Sequence, residues 1–363
     1  MVGNFIPAEI IDCAVSIPDA RRIGRLLSSP LGLSTRHPGR KHKRAAGPAD
    51  CPLRITRGRV CGGVRKLQMF PLTARAARGR PTEHRPMSAP ALSPAVELQV
   101  PWLPIGGLPI AAIDCVQSAR LMVDAALARR GSGRQPLVIT SANGQVISMC
   151  ARDTEVRALF LAADLIHADG MPLVFASRLK CRAPLPERVA TTDLFHDVAR
   201  AAQSRGATFY LLGGAPEVIE RAAHKVRETY PQLTLAGVRH GYFHPDATDD
   251  VAAEIDALGP DLLWIGMGSP AELALALHLR TRLTRVGVIK TSGGLFDFLS
   301  GRNSRAPSWM QSAGLEWLYR LALEPRRLAY RYLTTNPHAL FLLLTGSAQP
   351  PDYLPARWRS DRG

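Results

Sequence analysis

Six short apolar runs, each followed by an amphipathic stretch, constrain this chain more than any other feature of its 363 residues. They are Leu137 to Ser141, Leu165 to Ala168, Thr208 to Leu212, Leu233 to Val238, Leu262 to Met267 and Val286 to Lys290. Each is too short for a buried helix and, for the most part, too apolar to leave one face in water, which is the signature of a strand covered on both sides. Helical patterns run near Cys115 to Ala128, Thr154 to Ala162, Pro172 to Leu179, Asp193 to Ser204, Pro216 to Glu228, Asp249 to Leu258 and Pro270 to Leu283. Alternation of this kind predicts an α/β fold with a parallel sheet between helices.

In such sheets ligands bind beyond the carboxyl ends of the strands. The loops there read SANGQ (Ser141 to Gln145), ADG (Ala168 to Gly170), GGAPE (Gly213 to Glu217), GMGSPAE (Gly266 to Glu272) and TSGGLFDF (Thr291 to Phe298). Glycines such as Gly170, Gly214 and Gly268 would let backbone amides approach a phosphate. None of these loops is a full GxGxxG or a Walker sequence, so a dinucleotide or P-loop reading is weak.

The net charge of +16 is concentrated in the head, where residues 1–86 carry 17 Lys and Arg against 5 Asp and Glu. With scattered Pro and Gly and no sustained period, this head reads as disordered. It could bind nucleic acid or anionic lipid, but no recognition-helix pattern or zinc spacing accompanies it, and no nucleic-acid partner is expected. We read Met87 as the true start, with residues 1–86 as translated upstream sequence. A proline-rich approach (87–108), a core (109–303), a C-terminal helical segment (304–346) and a flexible tail (347–363) follow. The six cysteines lack CxxC spacing, which signals neither a zinc nor a redox site and fits reduced thiols. No apolar run reaches 18 residues, so any membrane contact should be peripheral.

Several residues could carry chemistry. Asp169 puts a carboxylate at a strand end inside the cleft, suited to a general base, although an Asp-Gly turn would read the same. Ser141 and Asn143 could bind a sugar or phosphate, or cap the next turn. Arg188 could neutralise a diphosphate, with Asp193 capping the following helix or pairing with it. Ser269 is a plausible N-cap with Pro270 first in the helix, and Glu272 could reach a sugar hydroxyl or complement the helix dipole. Asp297, between Phe296 and Phe298, needs a donor from a ligand hydroxyl, Arg302 or Arg305. From Arg302 to Tyr332 six arginines, including Arg320, Arg326 and Arg327, face only Glu316 and Glu324, and Trp309 and Trp317 lie among them. That mixture suits phosphate headgroups and acyl chains, or a solvated helix pair. No DxD occurs, so no metal or other cofactor is called for, and arginines would have to stabilise a leaving diphosphate.

From about Pro109 to Gly346 the chain resembles the WecG/TagA/CpsF glycosyltransferases (glycosyltransferase family 26). The resemblance rests on the order TSAN, HADGMPLV, LPERVATTD, FYLLGG, GYF, PDLLWIGMGSP, GGLFDFLSG, RAPSWMQSAGLEWLYRL and EPRRLAYRYL. It implies a Rossmann-like parallel sheet covered by helices on both faces, with a C-terminal helical membrane-associating appendage from about Ser304. It implies transfer of a sugar from a UDP-sugar to a polyprenyl-diphosphate-linked saccharide, by an enzyme peripheral on the cytoplasmic face of the bacterial membrane, in exopolysaccharide or other cell-surface polysaccharide synthesis. Asp169 then becomes the general base, Ser141 and Asn143 with neighbouring Thr140 the polar pair beside it, and Arg188 and the appendage arginines the diphosphate ligands. The chain departs from the family pattern at Thr191, where glycine is usual, and at Ala271-Glu272-Leu273, where a basic residue, Gln and Glu are usual. A UDP-glucose-type donor is therefore as open as UDP-N-acetylmannosamine. A dehydrogenase and an inert scaffold for a polysaccharide complex are the rival readings, and a homo-oligomeric state is left open.

Overall fold

The computed structural model describes residues 100–346, apart from the side chain of Arg327. The basic head, a start at Met87 and the tail lie outside the described residues.

The described chain opens with an antiparallel hairpin, β1 (Trp102–Ile105) and β2 (Leu108–Ala111). Its two-residue turn is Gly106-Gly107, at φ 58° and 80°, a left-handed geometry that glycine enters without a Cβ clash. α1 (Cys115–Arg129) follows, begun by a reciprocal capping box between Asp114 and Gln117. Next come β3 (Leu137–Ala142), α2 (Gly144–Arg152), α3 (Thr154–Ala162), β4 (Leu165–Ala168), α4 (Met171–Lys180) and α5 (Thr191–Arg205). The second half runs β5 (Thr208–Gly213), α6 (Pro216–Thr229), β6 (Thr234–Arg239), α7 (Thr248–Leu258), β7 (Leu262–Gly266), α8 (Ala271–Arg280) and β8 (Val288–Thr291). Four helices close the described chain: α9 (Leu295–Leu299), α10 (Ser308–Ser312), α11 (Glu316–Leu323) and α12 (Pro325–Thr345).

β3 to β8 form one parallel sheet in the order β4-β3-β8-β7-β5-β6. The chain winds outward from β3 to β4, re-enters on the far side at β5, and brings β8 back beside β3. The first and last strands of the sheet are therefore central neighbours, and their carboxyl ends open into one crevice. α1 and α5 pack together over one face, where Phe195 meets Trp264 edge-on at 4.9 Å. α8 covers β3, β7 and β8 on the other. With helices on both faces, Val138, Ile139, Leu211, Leu212, Leu263 and Ile289 are all fully buried, which is why these strands read as continuous apolar runs.

The α/β class, the six strands and the seven predicted helices are all present. The hairpin, α2 and α9 were not predicted. α12 carries apolar residues around its circumference: Leu328, Ala339 and Leu343 are buried, whereas Tyr330, Leu333, Leu340, Phe341 and Leu344 are exposed. Among the described residues no helix is long and apolar enough to cross a membrane.

Candidate active site

The crevice is built by tying loop ends together. The Asp169 amide donates to the Ala142 carbonyl at 2.8 Å, zipping the end of β4 to β3, and Val189 donates to the Ala168 carbonyl at 2.9 Å, returning the link before α5 to the same place. The first residue of α5, Thr191, is thereby set against Asp169, and its hydroxyl donates to Asp169 Oδ2 at 3.1 Å. Ser141 Oγ lies 3.3 Å from Thr191 Oγ1 and accepts from Lys290 Nζ at 2.8 Å. Asp169 is half-buried, at the mouth of this cluster.

Asn143 is exposed and caps α2, accepting from the Val146 amide at 3.1 Å. A Cβ at Gly170 would stand 3.6 Å from the Asn143 Cβ, so Asn143 borders the loop that carries Asp169. Thr140, one residue before Ser141, points to the opposite face of the sheet, where its buried hydroxyl is shared with Thr291 Oγ1 at 2.8 Å. It locks β3 to β8 beneath the crevice.

Lys290 is fully buried in the middle of the sheet, where burial pulls its pKa down to about 8 against the opposing pull of Asp169 and Glu272. His167, on β4 opposite Ser141, is also fully buried; burial first and Lys290 second hold it well below the ordinary histidine range, so it is neutral.

Glu272 proves to be a brace. At 2% exposure its carboxylate accepts from the amides of Met267 and Gly268, both at 3.1 Å, and of Gly293 at 2.8 Å, and from Ser269 Oγ at 3.3 Å. Burial raises its pKa, and these amides oppose the rise. With its oxygens occupied from behind, Glu272 fixes the β7 and β8 loops and does not reach a sugar. Ser269 accordingly donates to Glu272 and does not cap α8, whose N-cap is Pro270.

The glycine loops likewise use their amides internally. Gly214 donates to the Gly266 carbonyl and Gly241 to the Gly214 carbonyl, both at 3.0 Å. The amides of Gly214 and Gly268 are therefore already spoken for and do not face a phosphate. A side chain at Gly213, at φ 141°, would collide with the Gly266 carbonyl, so glycine here permits backbone-to-backbone packing.

Opposite Asp169 stands a belt of arginines and carboxylates. Arg188 Nη1 donates to Glu316 Oε2 at 2.8 Å, and its Nη2 lies 3.7 Å from Asp193 Oδ2. Arg305 grips Asp193 through both terminal nitrogens, and Arg188 and Arg305 both donate to Gln311 Oε1, at 3.2 and 2.6 Å. Arg320 pairs with Glu316 at 2.7 Å and stacks over Phe298 at 5.0 Å. Burial alone would push Asp193 up, but the Arg305 hydrogen bond and the charges of Arg305 and Arg188 hold it below the usual carboxylate range. Glu316 is held low in the same way by Arg320 and Arg188. Asp193 does not cap α5, which begins after Ala190 with no side-chain cap. It is an arginine partner in the first turn.

Arg302 is exposed, and its Nη1 lies 3.5 Å from Asp297 Oδ1 in a solvent-facing ion pair. Arg326 is exposed in the first turn of α12, and the Arg327 side chain lies outside the described residues. Among the described residues no group of three or more His, Cys, Asp or Glu is set to hold a metal ion.

The sequence reading missed Lys290, Gln311 and Glu316 as site residues. A lysine ending an apolar run inside a parallel sheet was a signal for the first, because such a charge is expensive to bury. The second and third had no local signal.

The crevice thus joins a carboxylate at a strand end to arginines from the link before α5 (Arg188), the loop before α10 (Arg305) and α11 (Arg320), all within the motifs that carry the family resemblance. The family model described as Glycosyl transferase WecG/TagA/CpsF matches residues 103–352. The chain belongs to the WecG/TagA/CpsF family and is a glycosyltransferase of cell-surface polysaccharide biosynthesis.

Proposed function

We propose that this protein is an inverting transferase that moves a hexose or N-acetylhexosamine from a UDP-sugar, of the UDP-glucose or UDP-N-acetylmannosamine type, to a polyprenyl-diphosphate-linked saccharide at the cytoplasmic membrane face. The observation that carries it is the half-buried Asp169 carboxylate, held on one oxygen by Thr191, facing a crevice bordered by Asn143 and the arginine belt. Asp169 takes the proton of the acceptor hydroxyl. The resulting oxygen attacks the anomeric carbon as the bond to the UDP oxygen breaks, and the electron pair leaves with the diphosphate. Arg188, Arg305 and Arg320 offset the charge of the diphosphates. No metal or other cofactor is assigned a part.

The exposed apolar face of α12, together with Trp309, Trp317 and Arg326, supports peripheral docking on an anionic bilayer. The test is transfer of labelled sugar into the lipid fraction of membranes carrying polyprenyl-diphosphate glycans, across a panel of UDP-sugars. Label from one donor identifies that donor. Silence across the panel from folded protein, with lipid binding retained, would sink the reading in favour of an inert scaffold.

A further inference from the structure

Lys290 has a backbone place suited to an aliphatic residue: it lies between Ile139 of β3 and Trp264 of β7 and is fully buried. An ammonium is costly there unless paired, and buried lysines ordinarily find a carboxylate. This one does not. Among the described residues no carboxylate lies within ion-pair distance of Nζ, which donates instead to Ser141 Oγ and to the Thr291 carbonyl, both at 2.8 Å. The hydroxyls of Ser141 and Thr191 stand between this charge and Asp169.

Those hydroxyls have a fixed polarity. An ammonium only donates, so Ser141 Oγ must accept from Lys290, which leaves its own proton for Thr191 Oγ1 at 3.3 Å. Thr191 in turn donates to Asp169 Oδ2 at 3.1 Å. Every donor points toward the carboxylate. The two hydroxyl contacts, at 3.3 and 3.1 Å, are longer than the two lysine contacts at 2.8 Å.

We propose that Lys290 is a positioning residue for glycosyl transfer, acting through Ser141 and Thr191 to orient the Asp169 carboxylate toward the acceptor hydroxyl whose proton it receives. The proposal rests on the assignment of Asp169 as base. Lys290 gives up no proton in the step: the acceptor proton goes to Asp169, and the ammonium and both hydroxyls keep theirs.

The groups facing Lys290 from its surroundings are Asp169 after β4, Glu272 on α8, Cys115 on α1 and His167 on β4. Burial raises the Cys115 thiol pKa and lowers that of His167, so both are neutral and Lys290 is the cation of the cluster.

The experiment measures kcat and donor KM of the full chain from pH 6 to 9.5 for wild type, Lys290→Met, Ser141→Ala and Asp169→Asn, with thermal melting as the check on folding. Wild-type kcat should fall as pH rises through about 8, where Lys290 loses its proton. Lys290→Met should lower kcat by about 10²-fold at pH 7, the scale of a misplaced catalytic group, with donor KM little changed and no alkaline limb. Ser141→Ala should reduce kcat without removing the buried charge, and it decides the matter if Lys290→Met does not fold. A folded Lys290→Met with wild-type kcat, an alkaline limb that survives the substitution, or an unaffected Ser141→Ala overturns the proposal. Activity that needs Asp169 but not Lys290 overturns it alone. Wild-type silence with every donor overturns the transferase reading with it.

Discussion

Thr191 Oγ1 donates to Asp169 Oδ2 at 3.1 Å from the first turn of α5, at a position where the family pattern led us to expect glycine. A glycine there would leave that carboxylate oxygen without this donor. The departure is thus part of how this chain holds its acid, and one oxygen of Asp169 is left for an acceptor hydroxyl.

On the proposed mechanism Asp169→Asn removes the base while keeping the shape and an oxygen for the Thr191 contact. Turnover should fall by about 10²–10⁴-fold, the usual worth of general-base catalysis. UDP binding, followed by calorimetry, should be nearly unchanged.

Arg305→Ala deletes a guanidinium that Asp193 and Gln311 hold in place. A charge-assisted hydrogen bond is worth about 1.5–3 kcal/mol. Donor KM should rise by about tenfold to a hundredfold, with kcat changed less, in initial-rate measurements with the UDP-sugar the wild type uses.

Lys290 also sets a pH signature in stability. Its folded pKa, about 8, lies below the ordinary 10.5, so between these values the unfolded chain binds the extra proton. The penalty for burying the charge is therefore fully present below pH 8 and fades as pH rises toward 10.5. Urea unfolding of wild type against Lys290→Met should reveal it as a relative gain of about 3 kcal/mol for wild type across that window.

Gly213→Ala would drive a methyl group into the Gly266 carbonyl, whereas Gly206, left-handed at φ 65°, has nothing within 4 Å of a Cβ. Denaturant titration should give a loss of about 3 kcal/mol or more for Gly213→Ala, an overpacking cost. For Gly206→Ala it should give about 1 kcal/mol, backbone strain alone.

On α12, the pair Leu333→Ser and Phe341→Ser changes only exposed positions. An apolar side chain withdrawn from water is worth about 1.5–3 kcal/mol, so binding to anionic vesicles in a sedimentation assay should weaken by at least about tenfold while the melting temperature holds. Leu343→Ala, at 2% exposure, should instead destabilise the fold by about 2–5 kcal/mol.

What could be read from the sequence follows from where the physics is local. LLWIG and LVITS announce strands because both faces are buried, and their order locates the strand ends where Asp169 and Ser141 sit. The hairpin escaped notice because Pro101, Pro104 and Pro109 argue against strands; an isolated two-stranded ribbon tolerates them at positions a central strand could not. α2 carries a signal, an Asn143 cap followed by buried Val146, Ile147 and Cys150 at helical spacing, but it is short and lies directly against the longer pattern that begins at Thr154. Glu272 reads as a sugar ligand or a dipole partner and Asp193 as a cap or a partner of Arg188; besides the nearby Met267 and Gly268 amides Glu272 holds the Gly293 amide 21 residues on, and Asp193 holds Arg305 112 residues on. No local pattern encodes such pairings.

The seat of α12 bears on how this protein could be recombined with its relatives. Ala339 packs where Gly144 has no side chain, His338 Nδ1 meets Ser148 Oγ at 2.9 Å, and Arg152 donates to the Thr334 carbonyl at 3.0 Å. Every one of these core-side contacts lies on α2, the helix that Asn143 begins. The C-terminal segment is consequently not an interchangeable module: a chimera that imports it must import Gly144, Ser148 and Arg152 as well, and the edge of the catalytic crevice comes with them.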